Sequence, residues 1–163
     1  MKLQTLFLAI ILLINTAIVI AQPAKVSIYN PNADARAEVN EAVAKAALEN
    51  KQVLIQVGGN WCSWCIKLNA LFNSTPTLDS LLKVDYIFVH LNYSKENKNL
   101  PILQEFGFPQ RFGFPVLLIL DKTGKRLHTQ DTSLLESGDG YDVIKIVGVL
   151  KGWTVTALDP KNY

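Results

Sequence analysis

Hydrophobic positions along the chain fall into blocks of two periods. Val26 and Ile28 alternate with polar neighbours over residues 25–29, which predicts a short edge strand. Asn30, Pro31 and Asn32 break it. Residues 33–50 are rich in Ala, Glu and Lys. Val39, Val43, Ala46 and Ala47 recur there at helical spacing, so an amphipathic helix is expected. Residues 53–57 are a short apolar run closed by Gly58, Gly59 and Asn60, the pattern of a strand and a sharp loop. Helical spacing returns over residues 66–72 with Leu68, Leu71 and Phe72, and residues 78–82 predict a further short helix. Residues 86–91 (YIFVHL) form a strand apolar enough to lie centrally, and residues 92–99 a polar loop. Pro101 opens a short helix that reaches Phe106, a place where proline is tolerated. Residues 116–120 (VLLIL) are a buried strand, 121–124 a turn and 125–130 the returning strand of a hairpin. After Gly138 and Gly140 comes a last helix over 141–152, with Val143, Ile146, Val147 and Leu150 on its inner face.

The order is strand, helix, strand, helix, strand, helix, strand, strand, helix. Strands alternating with helices predict an α/β domain, a partly parallel sheet covered on both faces, with an antiparallel edge from the terminal hairpin.

The first residues set the compartment. Met1 and Lys2 give a basic start, residues 6–14 are an unbroken apolar run, and residues 17–21 are nearly as apolar. Val19 and Ala21 are small enough to precede a cleavage site. Residues 1–21 are therefore expected to be a secretory signal peptide, with export to the periplasm or beyond. The alternative is a retained membrane anchor over residues 3–21. Residues 22–163 then form one domain of about 140 residues, enough for a real core. The formal net charge of +2 is close to balance, and no basic run or basic-aromatic stripe points to nucleic acid.

Two cysteines, Cys62 and Cys65, are the whole thiol complement, and each follows a tryptophan: GGNWCSWCIKL, residues 58–68. A zinc site takes three or four protein ligands. The histidines, His90 and His128, lie far along the chain at no ligand spacing, so no metal is expected. A structural disulfide would persist in an oxidising compartment, yet so small a loop removes little chain entropy. The redox reading accounts for the placement. A strand ends, a glycine loop turns the chain, and a helix begins at or just before Cys62. Unpaired N–H groups and the helix dipole favour a thiolate there. Cys65 follows one turn later, on the same side, where it can resolve a mixed disulfide formed by Cys62.

The stretch VLIQVGGNWCSWCIKL resembles the active-site strand, loop and helix of the thioredoxin superfamily, and GFPVLLILDKTGK (113–125) resembles its cis-proline segment and following hairpin. The likeness runs from about Lys25 to Trp153 and is nearest to exported bacterial thioredoxin-like proteins with a W-C-x-W-C centre. It implies a thioredoxin-like fold, a central mixed sheet flanked by helices. It implies a thiol–disulfide oxidoreductase in which Cys62 attacks and Cys65 resolves. Pro115 would be cis and pack against the disulfide, while the Phe114 backbone, Trp61 and Trp64 would meet the substrate. No bound cofactor is implied. Partners would be cysteine-containing proteins outside the cytoplasm and a membrane or periplasmic thiol redox partner, with the chain a monomer. The alternative function is a binding module of the same fold whose disulfide is structural.

Two departures stand out. Many thioredoxins place a buried aspartate six residues before the first cysteine, and Gln56 stands there in this chain. Gln cannot take a proton at neutral pH, so Cys65 would rely on another base, water or Lys67. Ser63 and Trp64 between the cysteines match neither the Gly-Pro common in reductants nor the Pro-His common in oxidants. Gly-Phe-Pro also occurs twice, at 107–109 and 113–115. The first copy reads either as a recognition loop or as a turn anchored by buried Phe.

Overall fold

The computed structural model describes residues 26–163. The expected signal segment, residues 1–21, lies outside them. Among the described residues no helix is long and apolar enough to cross a membrane.

Helix α1 (Ala35–Glu49) begins where the Asp34 side chain accepts from the N–H groups of Arg36 and Ala37. It ends at Asn50, whose left-handed backbone (φ 51°) lets its N–H reach the Ala46 carbonyl. Ala35, Val39, Ala42 and Ala46 form the buried face. Ala47, expected there, is exposed, because Ala42 fits the 3.6-residue spacing between Val39 and Ala46.

Four strands make the main sheet: β1 (Gln52–Gly58), β2 (Tyr86–Asn92), β3 (Val116–Leu120) and β4 (Arg126–Asp131). Their order is β2-β1-β3-β4. β1 and β2 are parallel, joined through α2 (Ser63–Ser74) and α3 (Pro76–Asp85). β3 runs antiparallel to both β1 and β4. β2 was expected in the middle. Among the described residues it pairs on one side only, with β1. Its apolar character reflects helices on its faces, which says nothing about its place in the sheet.

A second correction falls on the first predicted strand. Lys25 lies outside the described residues, and residues 26–29 form no strand. Instead, the N–H groups of Ile28 and Tyr29 both bond the Asn60 side-chain oxygen, at 2.9 and 3.0 Å. A side chain from the glycine loop before the cysteines takes the place of a neighbouring strand.

The rest follows the hydrophobic pattern. α4 (Leu100–Glu105) leads into a 3₁₀ turn at Pro109–Phe112, and β5 (Glu136–Ser137) pairs with β6 (Gly140–Tyr141) as a small hairpin. α5 (Val143–Gly152) starts two residues later than its pattern suggested. Tyr141 belongs to the hairpin, and Asp142 caps the helix by accepting from Ile144 and Lys145.

Alternation along the strands splits the core into two layers. Val53, Ile55, Val57, Val116, Leu118 and Leu120 face α1 and α4. Leu54, Leu117 and Ile119 face the opposite side, against Leu68 and Phe72 of α2, Leu78 of α3 and Ile146 and Leu150 of α5. Each fully buried Leu or Ile contributes about 1.5–3 kcal/mol of transfer free energy. The helices thus flank a mixed four-stranded sheet whose β1 delivers the chain to the cysteines.

Candidate active site

β1 ends at Gly58 and a turn closes with the Cys62 N–H on the Gly59 carbonyl at 3.0 Å. Both glycines are demanded by crowding. A Cβ on Gly58 would lie 2.5 Å from Cys65 Sγ and 2.7 Å from Tyr29 Oη, and one on Gly59 would collide with Trp61 Nε1 and the Tyr93 carbonyl. Cys62 is the N-cap of α2, in extended conformation, and its sulfur accepts from the Cys65 N–H at 3.1 Å. The two cysteines are joined as a disulfide, with Cα atoms 5.2 Å apart. Cys65 is fully buried, whereas Cys62 keeps 6 % of its surface exposed. Sulfur at the start of a twelve-residue helix is where the dipole and free N–H groups stabilise negative charge.

Aromatic side chains frame the pair. Trp61 is 56 % exposed, and its indole N–H donates to the Tyr93 carbonyl at 2.7 Å. Phe114 stands edge-on to Trp61, with ring centroids 5.3 Å apart, and tilts against Tyr93 at 4.7 Å. The Phe114–Pro115 peptide bond is cis. Pro115 is buried and its carbonyl accepts from the Thr132 hydroxyl. Phe114 and Trp64 both pack on the cluster formed by Tyr29, Cys62 and Cys65. Trp64 is half-buried, edge-on to Tyr141 at 5.3 Å, and carries the Lys67 ammonium over its ring at 4.7 Å. That ammonium also donates to the Asp139 carbonyl at 2.7 Å. Lys67 is thus engaged at the hairpin between β5 and β6.

Beneath the disulfide lies a polar group that sequence inspection did not assemble. Gln56 is fully buried, and its amide nitrogen donates to Tyr29 Oη at 2.6 Å and to the Cys65 carbonyl at 3.1 Å. Its oxygen is buried with no hydrogen-bond partner among the described residues. Tyr29 is 1 % exposed, and burial holds its hydroxyl well above the usual phenol range. Asn60 clamps this segment, its amide nitrogen donating to the Tyr29 carbonyl at 2.7 Å and its oxygen accepting from Ile28 and Tyr29. His90 of β2 meets Tyr29 edge-on at 5.3 Å and contacts Asn69 Oδ1 at 3.0 Å through Nε2. Burial lowers its pKa to about 4, so the ring is neutral near pH 7. Tyr29 sits 27 residues before Gln56, and the Asn60 clamp helps hold it there. The polar Asn in a glycine loop is the one hint that the sequence offered.

The phenylalanines in and around the first Gly-Phe-Pro copy divide. Phe106 is buried in the α1 layer, while Phe108 (50 %) and Phe112 (38 %) are exposed. On the other flank, Trp61, Tyr93, Pro31, Lys95 and Lys98 line an open groove of about 680 Å³. Among the described residues no cluster of three or more His, Cys, Asp or Glu could hold a metal ion.

Comparison with solved structures finds the same architecture elsewhere. The disulphide isomerase from Xylella fastidiosa Temecula1 superposes with a TM-score of 0.67 at 22 % identity, over 78 % of this chain and 99 % of that one. A thioredoxin from Thermus thermophilus gives 0.50 at 15 % identity, over 69 % and 80 %. At these identities the likeness is one of fold. No curated protein matches the chain. A family model described as thioredoxin-like matches residues 34–122, from the cap of α1 to the turn after β3. That span takes in more than half of the sequence and both cysteines, and the chain belongs to the thioredoxin-like family.

Proposed function

We propose that the chain is an exported thiol–disulfide oxidoreductase that reduces or exchanges disulfides of proteins outside the cytoplasm. The observation that carries this reading is the Cys62–Cys65 disulfide at the N-terminus of α2, with Cys62 as the N-cap retaining a small exposure of 6 % and Cys65 fully buried. In the reduced protein the Cys62 thiolate attacks a target disulfide and forms a mixed disulfide. One target thiolate leaves. Cys65 then attacks Cys62 Sγ, the second target thiolate leaves, and the pair is oxidised as the target gains two electrons. A membrane or periplasmic thiol partner returns the pair to its working state.

Trp61, Phe114, Phe108 and Phe112 supply the apolar surface on which an extended target segment rests, with Pro115 and the Phe114 backbone holding it beside Cys62. Trp64 acts more through packing, between Tyr141 and Lys67. The exported W-C-x-W-C type fits the basic, apolar and small-residue pattern of residues 1–21.

The deciding experiment is an equilibrium titration of the Cys62–Cys65 pair against glutathione or dithiothreitol buffers. A potential near or below about −250 mV places the protein with reductants, and one of about −120 to −180 mV with oxidants and isomerases. A pair that resists strong dithiothreitol, with a Cys62 inert to alkylation, sinks the catalytic reading and leaves a binding module with a structural disulfide.

A further inference from the structure

The proposed reaction leaves one step without an agent. Cys65 is fully buried, and its thiol must lose a proton before it can attack Cys62. The family's usual buried carboxylate is absent, with Gln56 in its place. Among the described residues, the titratable groups packed against Tyr29 and Trp64 include no carboxylate. His90, from β2, is held neutral by burial, and Tyr141, from β6, is pushed up by burial. The Lys67 ammonium is turned to the Asp139 carbonyl and the Trp64 ring.

The polar group that lies beside the sulfur is a hydroxyl. Tyr29, Cys62 and Cys65 form one buried cluster. Cys65 Sγ and Tyr29 Oη flank the bare Cα of Gly58, each within 2.7 Å of where its Cβ would stand, so sulfur and hydroxyl share that space. The amide of Gln56 fixes which way the hydroxyl can act. The same Gln56 nitrogen reaches both the Cys65 carbonyl and Tyr29 Oη, and a carbonyl oxygen accepts only from a donor. Nε2 is therefore the donor in both bonds, and Tyr29 Oη is an acceptor toward Gln56. The Tyr29 proton remains to be given, and no acceptor takes it among the described residues.

We infer that the Tyr29 hydroxyl donates a hydrogen bond to the Cys65 sulfur in the mixed disulfide and so stabilises the thiolate that resolves it. Gln56 and Asn60 are positioning residues: Gln56 orients the hydroxyl, and Asn60 pins the segment that carries it. The proton of the Cys65 thiol passes to the first target thiolate released. The Cys65 thiolate then forms the bond to Cys62 Sγ while the bond from Cys62 to the target breaks, and the electron pair leaves with the second target thiolate. Tyr29 keeps its own proton throughout. A donor to a buried charge is worth more than a neutral one, because the thiolate has few other ways to be solvated.

This inference rests on the oxidoreductase reading, and one measurement separates the two. The reduced full chain is mixed with an equimolar aromatic disulfide whose released thiolate absorbs visible light. The first release reads attack by Cys62, and the second reads resolution by Cys65. In Tyr29→Phe the first phase stays within about twofold of wild type, since Cys62 owes its thiolate to the helix end. The second phase slows about tenfold near neutral pH, and the midpoint of its pH profile rises by about one unit. Asn60→Ala moves the midpoint in the same direction. A second phase whose midpoint is unchanged in Tyr29→Phe, slowed uniformly or not slowed, overturns the inference and leaves Tyr29 a packing residue. A wild-type protein with no first phase removes the oxidoreductase reading and the inference with it.

Discussion

At the scale of single residues, Gln56 is the position where this chain departs most from the chemistry its fold supports. Its side chain bridges Tyr29 and the Cys65 carbonyl, and its oxygen is buried with no hydrogen bond among the described residues. An unsatisfied buried acceptor costs about 1–3 kcal/mol. Gln56→Glu would put an ionisable oxygen in that place. Burial raises a carboxyl pKa toward neutrality, where it can take the Cys65 proton. Resolution of a mixed disulfide is therefore expected to be faster in Gln56→Glu than in wild type, read as the second phase of the aromatic-disulfide assay. A variant no faster than wild type would show that proton removal from Cys65 does not limit the step. The cysteines were legible in the sequence because local spacing alone sets them on one helical turn. Tyr29 was not, because its role comes from a contact with Gln56 across 27 residues. Nor was the engagement of Lys67, which depends on the Asp139 carbonyl 72 residues away.

At the scale of elements, the passage from β1 to α2 determines whether the site can form. Residues 52–58 are buried throughout, so the strand is held firmly up to the turn. Gly58 then lets Cys65 Sγ and Tyr29 Oη close over the backbone. Gly58→Ala places a methyl group where both atoms already stand, and neither belongs to a side chain free to swing away. Such overpacking costs about 1–3 kcal/mol. The oxidised variant is expected to lose that much unfolding free energy and so to unfold at lower urea concentration. Equal unfolding midpoints would mean that the Tyr29 segment yields easily, contrary to the Asn60 clamp. Periodicity located β1, β3 and the helices because each buries a repeating face. It misplaced residues 25–29, where alternation of Val26 and Ile28 looked like a strand, yet the N–H groups of Ile28 and Tyr29 go to one Asn60 side chain. Hydrophobic patterns report which side chains are covered, and they do not report what satisfies the backbone.

At the scale of the whole molecule, two apolar layers sandwich the sheet, and His90 stands where the α2 layer meets the buried cluster under the disulfide. Its ring contacts Phe88 and Tyr29, with centroids at 4.6 and 5.3 Å, and Nε2 meets Asn69 of α2. Nothing in the sequence marked this histidine, since YIFVHL reads as one more strand and the surrounding layer is assembled from distant elements. Burial moves its pKa from 6.5 down to about 4. Between those values the unfolded chain binds a proton at this site that the folded chain does not. Stability from His90 is thus fully present above about pH 6.5 and is lost as pH falls toward 4, with no further change below. The shift corresponds to about 2 kcal/mol once its partial contact with solvent is allowed for. His90→Gln keeps a polar partner for Asn69 and cannot be protonated. Urea unfolding of the oxidised protein across pH 4–7 is expected to give curves that converge in acid, because the wild type loses this increment on acidification and the variant does not. Curves that run parallel through the window would mean that His90 titrates alike in both states, and that the junction between the α2 layer and the cluster under the disulfide is open to water.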